Sequence, residues 1–225
     1  MPSVLQAVET CLAAGARSIT VHPRADERHI RPDDVTIIAD ALAPRRAQVE
    51  LNIEGDPRAD FLQMVERVRP DQCTLVPVRP GEITSEAGWP ANTPSETLVD
   101  VISRCHAAGV RVSMFVDPVS EPIEWAAGLG ADRVELYTEP YARAFEQGGD
   151  ALSQSLQTYR RAAEHAHSLG LAVNAGHDLD LDNLPSFLTL PHIAEVSIGH
   201  ALISRALFLG LSQVVSEYLA IPGID

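Results

Sequence analysis

Short apolar, β-branched runs alternate along this chain with longer stretches whose apolar positions recur at helical spacing, the pattern of strands followed by amphipathic helices. The spacing predicts a helix over 3–14, stopped at Gly15, and then a strand over 19–22. Strands over 49–53, 73–76, 111–116, 133–137, 171–174 and 194–198 follow, alternating with helices over 33–42, 61–68, 96–107, 121–129 and 151–169. A short helix around 182–189 and a last one over 201–219 complete the series. Two stretches, 79–95 and about 139–150, are expected to be loops; the first exceeds the ~12–15 residues beyond which an irregular connection is usually a functional lid or disordered. Seven strand-then-helix units imply a parallel sheet with right-handed crossovers. A leading helix with no strand of its own makes this an α/β chain that looks like a (β/α)₈ TIM barrel lacking its first strand, with 1–225 as one domain. No GxGxxG follows a strand, so a dinucleotide-binding fold has no support.

Composition narrows the partners. With 31 acidic and 17 basic residues the formal charge is −14, a surface that repels nucleic acid and anionic membranes. No apolar run approaches the ~20 residues of a membrane span. The opening MPSVLQAVET has no basic region followed by an apolar core, so no secretory signal is expected. Cys11, Cys73 and Cys105 form no CxxC and sit in apolar patterns, which suits core positions and a reducing, cytoplasmic setting. All 17 basic residues are arginine. Without lysine there can be no Schiff-base aldolase chemistry, no internal pyridoxal aldimine and no P-loop lysine. Any anion must be held by Arg, His, backbone N–H groups or a helix N-terminus.

In a barrel the strand ends face one mouth. The polar residues there are His22, Glu54, Asp117, Glu135, His177 and His200, with Arg24 and His29 just beyond the first strand. Two imidazoles and a fixed cation in 18–30 suit an anionic substrate and proton transfer; a solvated loop with a helix-capping histidine is the alternative. Alternation in RVELY turns Glu135 into the barrel, where it must be paired, with Arg111 or Arg133, or protonated. Glu54 either faces the mouth or caps the next helix. The strand–Gly–helix junction at Ser197-Ile198-Gly199-His200 either offers free N–H groups to a phosphate or is a tight turn. Asp178, Asp180 and Asp182 resemble a calcium loop, but the central Gly and final Glu are missing, which favours a solvated loop. His22, His177, His200 and Glu54 contain no HxH or HExxH pairing, so no metal is expected.

The strings ITVHPRADERHI, ELNIEG, CTLVPVRPGEITSEAG, VRVSMFVD, VELYTEPYA, VNAGHDL and SIGHALISRAL, in this order and spanning nearly the whole chain, resemble the pyridoxine 5′-phosphate synthase family. The resemblance implies a (β/α)₈ enzyme that condenses 1-deoxy-D-xylulose 5-phosphate with 3-amino-2-oxopropyl phosphate, releases phosphate and water, and uses no cofactor. It implies that His22 and Glu54 are general bases, that His177 donates a proton, and that Glu135 stabilises developing charge. Arg24, His29 and Thr84 would hold the sugar phosphate, Gly199 and His200 the aminoketone phosphate, and 79–95 would be a lid that excludes water. It also implies a cytoplasmic homo-oligomer, an octamer in the family, whose partners are small phosphorylated molecules.

The chain departs from the family in three places. The family's first strand, with its Asn, Asp-His and Arg site residues, has no counterpart, which is expected to leave unpaired edges on 19–22 and 194–198. A truncated or mis-started reading frame with weak or no activity is the corresponding expectation. Asp178, a substrate-side position, and Glu139 stand where the family usually has glycine, and Asp178 places a negative charge beside an expected phosphate. A phosphate-binding barrel without turnover is the alternative function.

Overall fold

A computed structural model describes residues 3–78 and 85–224. One parallel sheet runs in chain order through β1 (Ser18–Val21), β2 (Glu50–Gly55), β3 (Gln72–Leu75), β4 (Arg111–Val116), β5 (Arg133–Tyr137), β6 (Ala172–Gly176) and β7 (Ile193–Ser197). Helices α1 (Val4–Ala13), α2 (Pro32–Leu42), α3 (Ala59–Val68), α4 (Ser95–Ala107) and α5 (Ser120–Gly128) precede β1 to β5 in alternation. They are followed by α6 (Glu139–Gln147), α7 (Gly149–Ser168), α8 (Leu184–Phe187), α9 (His200–Leu209) and α10 (Leu211–Leu219). The result is a nearly closed α/β barrel of the TIM type.

Strand alternation sorts the residues into two layers. Outward side chains such as Val21, Leu51, Ile53, Leu75, Val112, Met114, Val134, Leu136 and Val173 are buried against the helices. Each such burial stabilises by about 1.5–3 kcal/mol. The inward side chains are polar over most of the barrel. Thr74 Oγ1 donates to Asn52 Oδ1 at 3.1 Å, and Arg133 reaches Asn174 Oδ1 at 3.1 Å and Glu195 Oε2 at 3.2 Å. Arg111 pairs with Glu50 at 2.5 Å.

β1 and β7 are the two edges of the sheet, and no backbone ladder joins them. A side-chain bond spans the seam: Ser18 Oγ donates to Glu195 Oε1 at 3.1 Å. The strand on this side is the weakly covered one. β7 has no fully buried residue, nor does α9, and Leu207 and Phe208 of α9 are 79% and 88% exposed. On the other side α1 packs between α2 and α10.

Two elements differ from the sequence reading. The stretch expected as a loop over about 139–150 is mostly α6, which ends at Gly148 and gives way directly to α7. EPYARAFEQ places Tyr141 and Phe145 on one face, and Tyr141 is fully buried against Tyr159 and Phe187. Pro140 suits a first turn, and the two glycines, at φ +69° and +52°, break the helix only at its end. The predicted final helix is likewise two, divided at Gly210, whose φ is +86°.

Candidate active site

The C-terminal strand ends assemble the predicted residues at one mouth. β1 ends into Val21-His22, and β2 carries Glu54 as its fifth residue on the inward side. His22 Nδ1 lies 3.7 Å from Glu54 Oε2, close enough for a small displacement or one bridging atom to connect them but too long for a direct hydrogen bond. Glu54 thus faces the mouth and does not cap α3. Burial, reinforced by the charges of Arg24, His29, Arg58 and His177, pushes the His22 imidazole down to about 3, so it is neutral and can accept a proton. Its Nε2 is buried without a partner among the described residues. Burial, with a smaller contribution from Glu195, pushes the Glu54 carboxyl up to about 7. The side chain keeps 18% exposure, so water screens part of that effect.

Glu135 is 1% exposed, and Gly176 on β6 makes room for it: a Cβ at Gly176 would stand 2.5 Å from Glu135 Oε1. Neither arginine proposed as its partner reaches it, because Arg111 is held by Glu50 and Arg133 by Glu195. Burial and the neighbouring carboxylates Glu54 and Glu195 hold Glu135 well above the usual carboxyl range. Burial therefore favours its neutral form, in which a carboxyl can donate a hydrogen bond.

His177 follows β6 with its ring packed against Phe115 at 5.2 Å and Tyr137 at 5.5 Å between centroids. Burial lowers its proton affinity, and Asp178 opposes that. Its backbone is left-handed, φ +82°, and so is that of Asp178, φ +56°. Thr138 Oγ1 holds the turn from within hydrogen-bond distance of the carbonyls of Gly176 and His177, which share its one proton. Two consecutive side-chain-bearing residues at positive φ are strained, and glycine at the second removes part of that strain. Asp178→Gly is therefore expected to stabilise the fold by about 1 kcal/mol. Thermal denaturation checks this, and a lower Tm would show that the aspartate holds the turn.

Arg24 is 7% exposed, and no carboxylate lies within ion-pair distance of it among the described residues. His29 is exposed beside it, its ring edge-on to that of His22 at 6.1 Å. Burial and the Arg24 and Arg28 charges lower the His29 proton affinity, against Asp26. Gly199 is the N-cap of α9 and His200 its first residue, one place earlier than expected, so the first-turn N–H groups of α9 open beyond β7. Both residues are exposed. Thr84 lies outside the described residues. Glu139, the other departure from glycine, begins α6 and accepts from Arg143 Nε at 3.0 Å, one turn further along the helix.

The sequence reading missed the polar floor beneath these groups, formed by Asn52, Thr74, Asn174 and Glu195 together with Arg133, which it considered only as a partner for Glu135. The signal was present as period-two polarity in ELNIE, RVELY and AEVS, of which only Glu54 and Glu135 were read as site residues. It also missed Arg58, which pairs with Asp56, donates to the Pro23 carbonyl at 2.7 Å and lies over the Phe61 ring, pinning the loop after β1 to the loop after β2. Nothing in GDPRAD announces that role. Among the described residues no three His, Cys, Asp or Glu side chains converge as a metal site would require.

A parallel barrel with acid–base groups collected at its strand ends is the arrangement of an α/β-barrel enzyme. Solved structures share the fold: phosphoribosyl anthranilate isomerase from Thermotoga maritima superposes with a TM-score of 0.65 at 15% identity, over 96% of this chain and 93% of that one. The isomerase from Thermus thermophilus gives 0.57 at 18% identity, over 94% and 96%. Sequence relatives are more specific. The family described as pyridoxal phosphate biosynthesis protein PdxJ matches residues 1–222, and the chain belongs to it. The pyridoxine 5′-phosphate synthase of Porphyromonas gingivalis is 48% identical over 219 residues, 97% of this chain and 89% of that protein. That of Cytophaga hutchinsonii is 48% identical over 220 residues, with the same coverage.

Proposed function

We propose that this chain condenses 1-deoxy-D-xylulose 5-phosphate with 3-amino-2-oxopropyl phosphate to pyridoxine 5′-phosphate, releasing phosphate and water, by general acid–base catalysis and without a cofactor. The observation that carries the reading is the His22–Glu54 pair: a neutral imidazole and a carboxyl with a pKa of about 7, 3.7 Å apart at the mouth. Ring closure through successive dehydrations needs groups that accept and return protons; Glu54 titrates near neutral pH, and the neutral His22 ring keeps an unpartnered nitrogen. In this reading His22 and Glu54 are the bases and His177 is the proton donor. Glu135, whose burial favours the neutral form, donates a hydrogen bond to oxygen as charge develops there. Arg24, His29 and Thr84 hold the sugar phosphate, and Asp178 stands beside a bound phosphate. Gly199 and His200 hold the second phosphate at the positive end of α9.

His22→Ala is expected to lower kcat by about 10²–10⁴-fold while sugar-phosphate binding, followed calorimetrically, persists. Wild-type turnover in that variant would remove His22 from the chemistry. The unpaired β1 and β7 edges favour one other reading, a phosphate-binding barrel without turnover. Sugar-phosphate binding with no product from the wild-type chain would select it.

A further inference from the structure

The barrel interior has more carboxylates than cations. Glu50, Glu54, Glu135 and Glu195 point inward, against Arg111 and Arg133. The two guanidiniums are committed at the floor, Arg111 to Glu50 and Arg133 to Glu195, so Glu54 and Glu135 are left without one.

The commitment of Arg133 is the informative one. It lies two residues before Glu135 on β5, on the same inward face. Glu135, Asn174 and Glu195 are successive register partners across β5, β6 and β7. Glu195 draws the Arg133 head away to the seam, where Asn174 also accepts from it and Ser18 of β1 donates to the other carboxylate oxygen. We propose that the Arg133–Glu195 pair is a positioning device for the acid–base site: it keeps Arg133 from neutralising Glu135 and Glu54, and it ties β7 to β1 across the open seam. Neither residue touches the mouth, so both act through Glu54 and Glu135. The proposal rests on the acid–base reading for its consequence in catalysis, but not for its test.

The charges around the pair come from every neighbouring strand. Glu195 sees Arg133 from β5, Arg111 from β4, Glu50 from β2 and the Ser18 hydroxyl from β1, and burial holds its carboxyl above the usual range. Glu54 sees His22 from β1 at 3.7 Å and the negative charge of Glu195, and Glu135 sees both glutamates. Removing the Glu195 charge therefore leaves Arg133 as an unmatched cation among these carboxyls. Removing Arg133 leaves an unmatched anion.

The experiment is a charge cycle read by NMR titration of glutamate carboxyl carbons in the full chain without substrates, so its outcome does not depend on turnover. Glu195→Gln is expected to lower the Glu54 midpoint by about one pH unit, and Arg133→Gln to raise it. The double variant, neutral at both positions, is expected to return it to the wild-type value. A role confined to holding the seam would move all three in one direction with falling Tm, or would leave the midpoint unchanged, and either result overturns the proposal. Should Glu195→Gln fail to fold, Arg133→Gln and the double variant still decide. A double variant that titrates like Arg133→Gln contradicts the pairing, and one restored to the wild-type midpoint supports it.

Discussion

Glu54→Gln is expected to lower kcat by about 10²–10⁴-fold at pH 8 and, at the same pH, to raise the stability of the protein. The two effects share one cause. Burial holds the folded-state carboxyl at about 7, above its ordinary value of 4.5. Between those values the native chain binds a proton that the unfolded chain has released, so stability falls as pH rises from 4.5 through 7. A glutamine never ionises and is spared that loss. At pH 8 the gain is on the order of 2 kcal/mol, less than the full shift converts to because Glu54 keeps 18% exposure. Below pH 4.5 the two proteins should differ little. The same titration makes wild-type kcat/KM fall as pH drops below about 7, where the base is protonated, and the variant should lack that limb. Melting curves at pH 5 and pH 8 with a pH–rate profile check both halves. A variant less stable at pH 8 would show that the Glu54 carboxylate is compensated in the native site.

Gly88→Ala is expected to destabilise the fold by about 1–3 kcal/mol and to lower kcat/KM. A Cβ at Gly88 would stand 2.3 Å from Val116 Cα and 2.5 Å from the Asp117 nitrogen, and backbone at the end of β4 cannot yield as a side chain can. Gly88 also donates its amide to Asp117 Oδ1 at 3.1 Å, Trp89 N–H donates to the Phe115 carbonyl at 2.8 Å, and the Trp89 indole donates to the Leu75 carbonyl at 2.9 Å. These bonds, each worth about 0.5–1.5 kcal/mol net, fasten the end of the long connection to β3 and β4 beside Phe115, against which His177 packs. The loss should therefore reach the site. A Tm unchanged from wild type, with unchanged kcat/KM, would mean that the segment re-seats without cost.

The barrel was legible because each βα unit carries its own signals: a β-branched run, a polar strand end, then apolar positions at helical spacing. The mouth residues were legible for the same reason, since polar residues at and just beyond the strand ends collect at the mouth whatever the loops do. His22, Glu54 and His177 follow from that rule and Glu135 from the alternation in RVELY, together with the family resemblance. The polar floor was harder to see. A carboxylate such as Glu195 has no meaning until Arg133, two strands away, and Ser18, 177 residues away in sequence, are placed beside it. α6 was hidden by its punctuation, because Pro140 and the Gly148-Gly149 pair are loop signals when read singly and helix boundaries when Tyr141 is seen to be buried. The unpaired edges at the seam were foreseen from the count of strands, whereas the Ser18–Glu195 bond across them depends on side-chain placement that periodicity does not carry.

The most direct measurement is turnover by the purified chain with both phosphorylated substrates, following pyridoxine 5′-phosphate and inorganic phosphate together. The account predicts that both accumulate in equal amounts, without added metal or cofactor, and that both slow by about 10²–10⁴-fold in Glu54→Gln. Folded protein that binds the sugar phosphate yet releases neither product nor phosphate would contradict it and leave a binding barrel in its place.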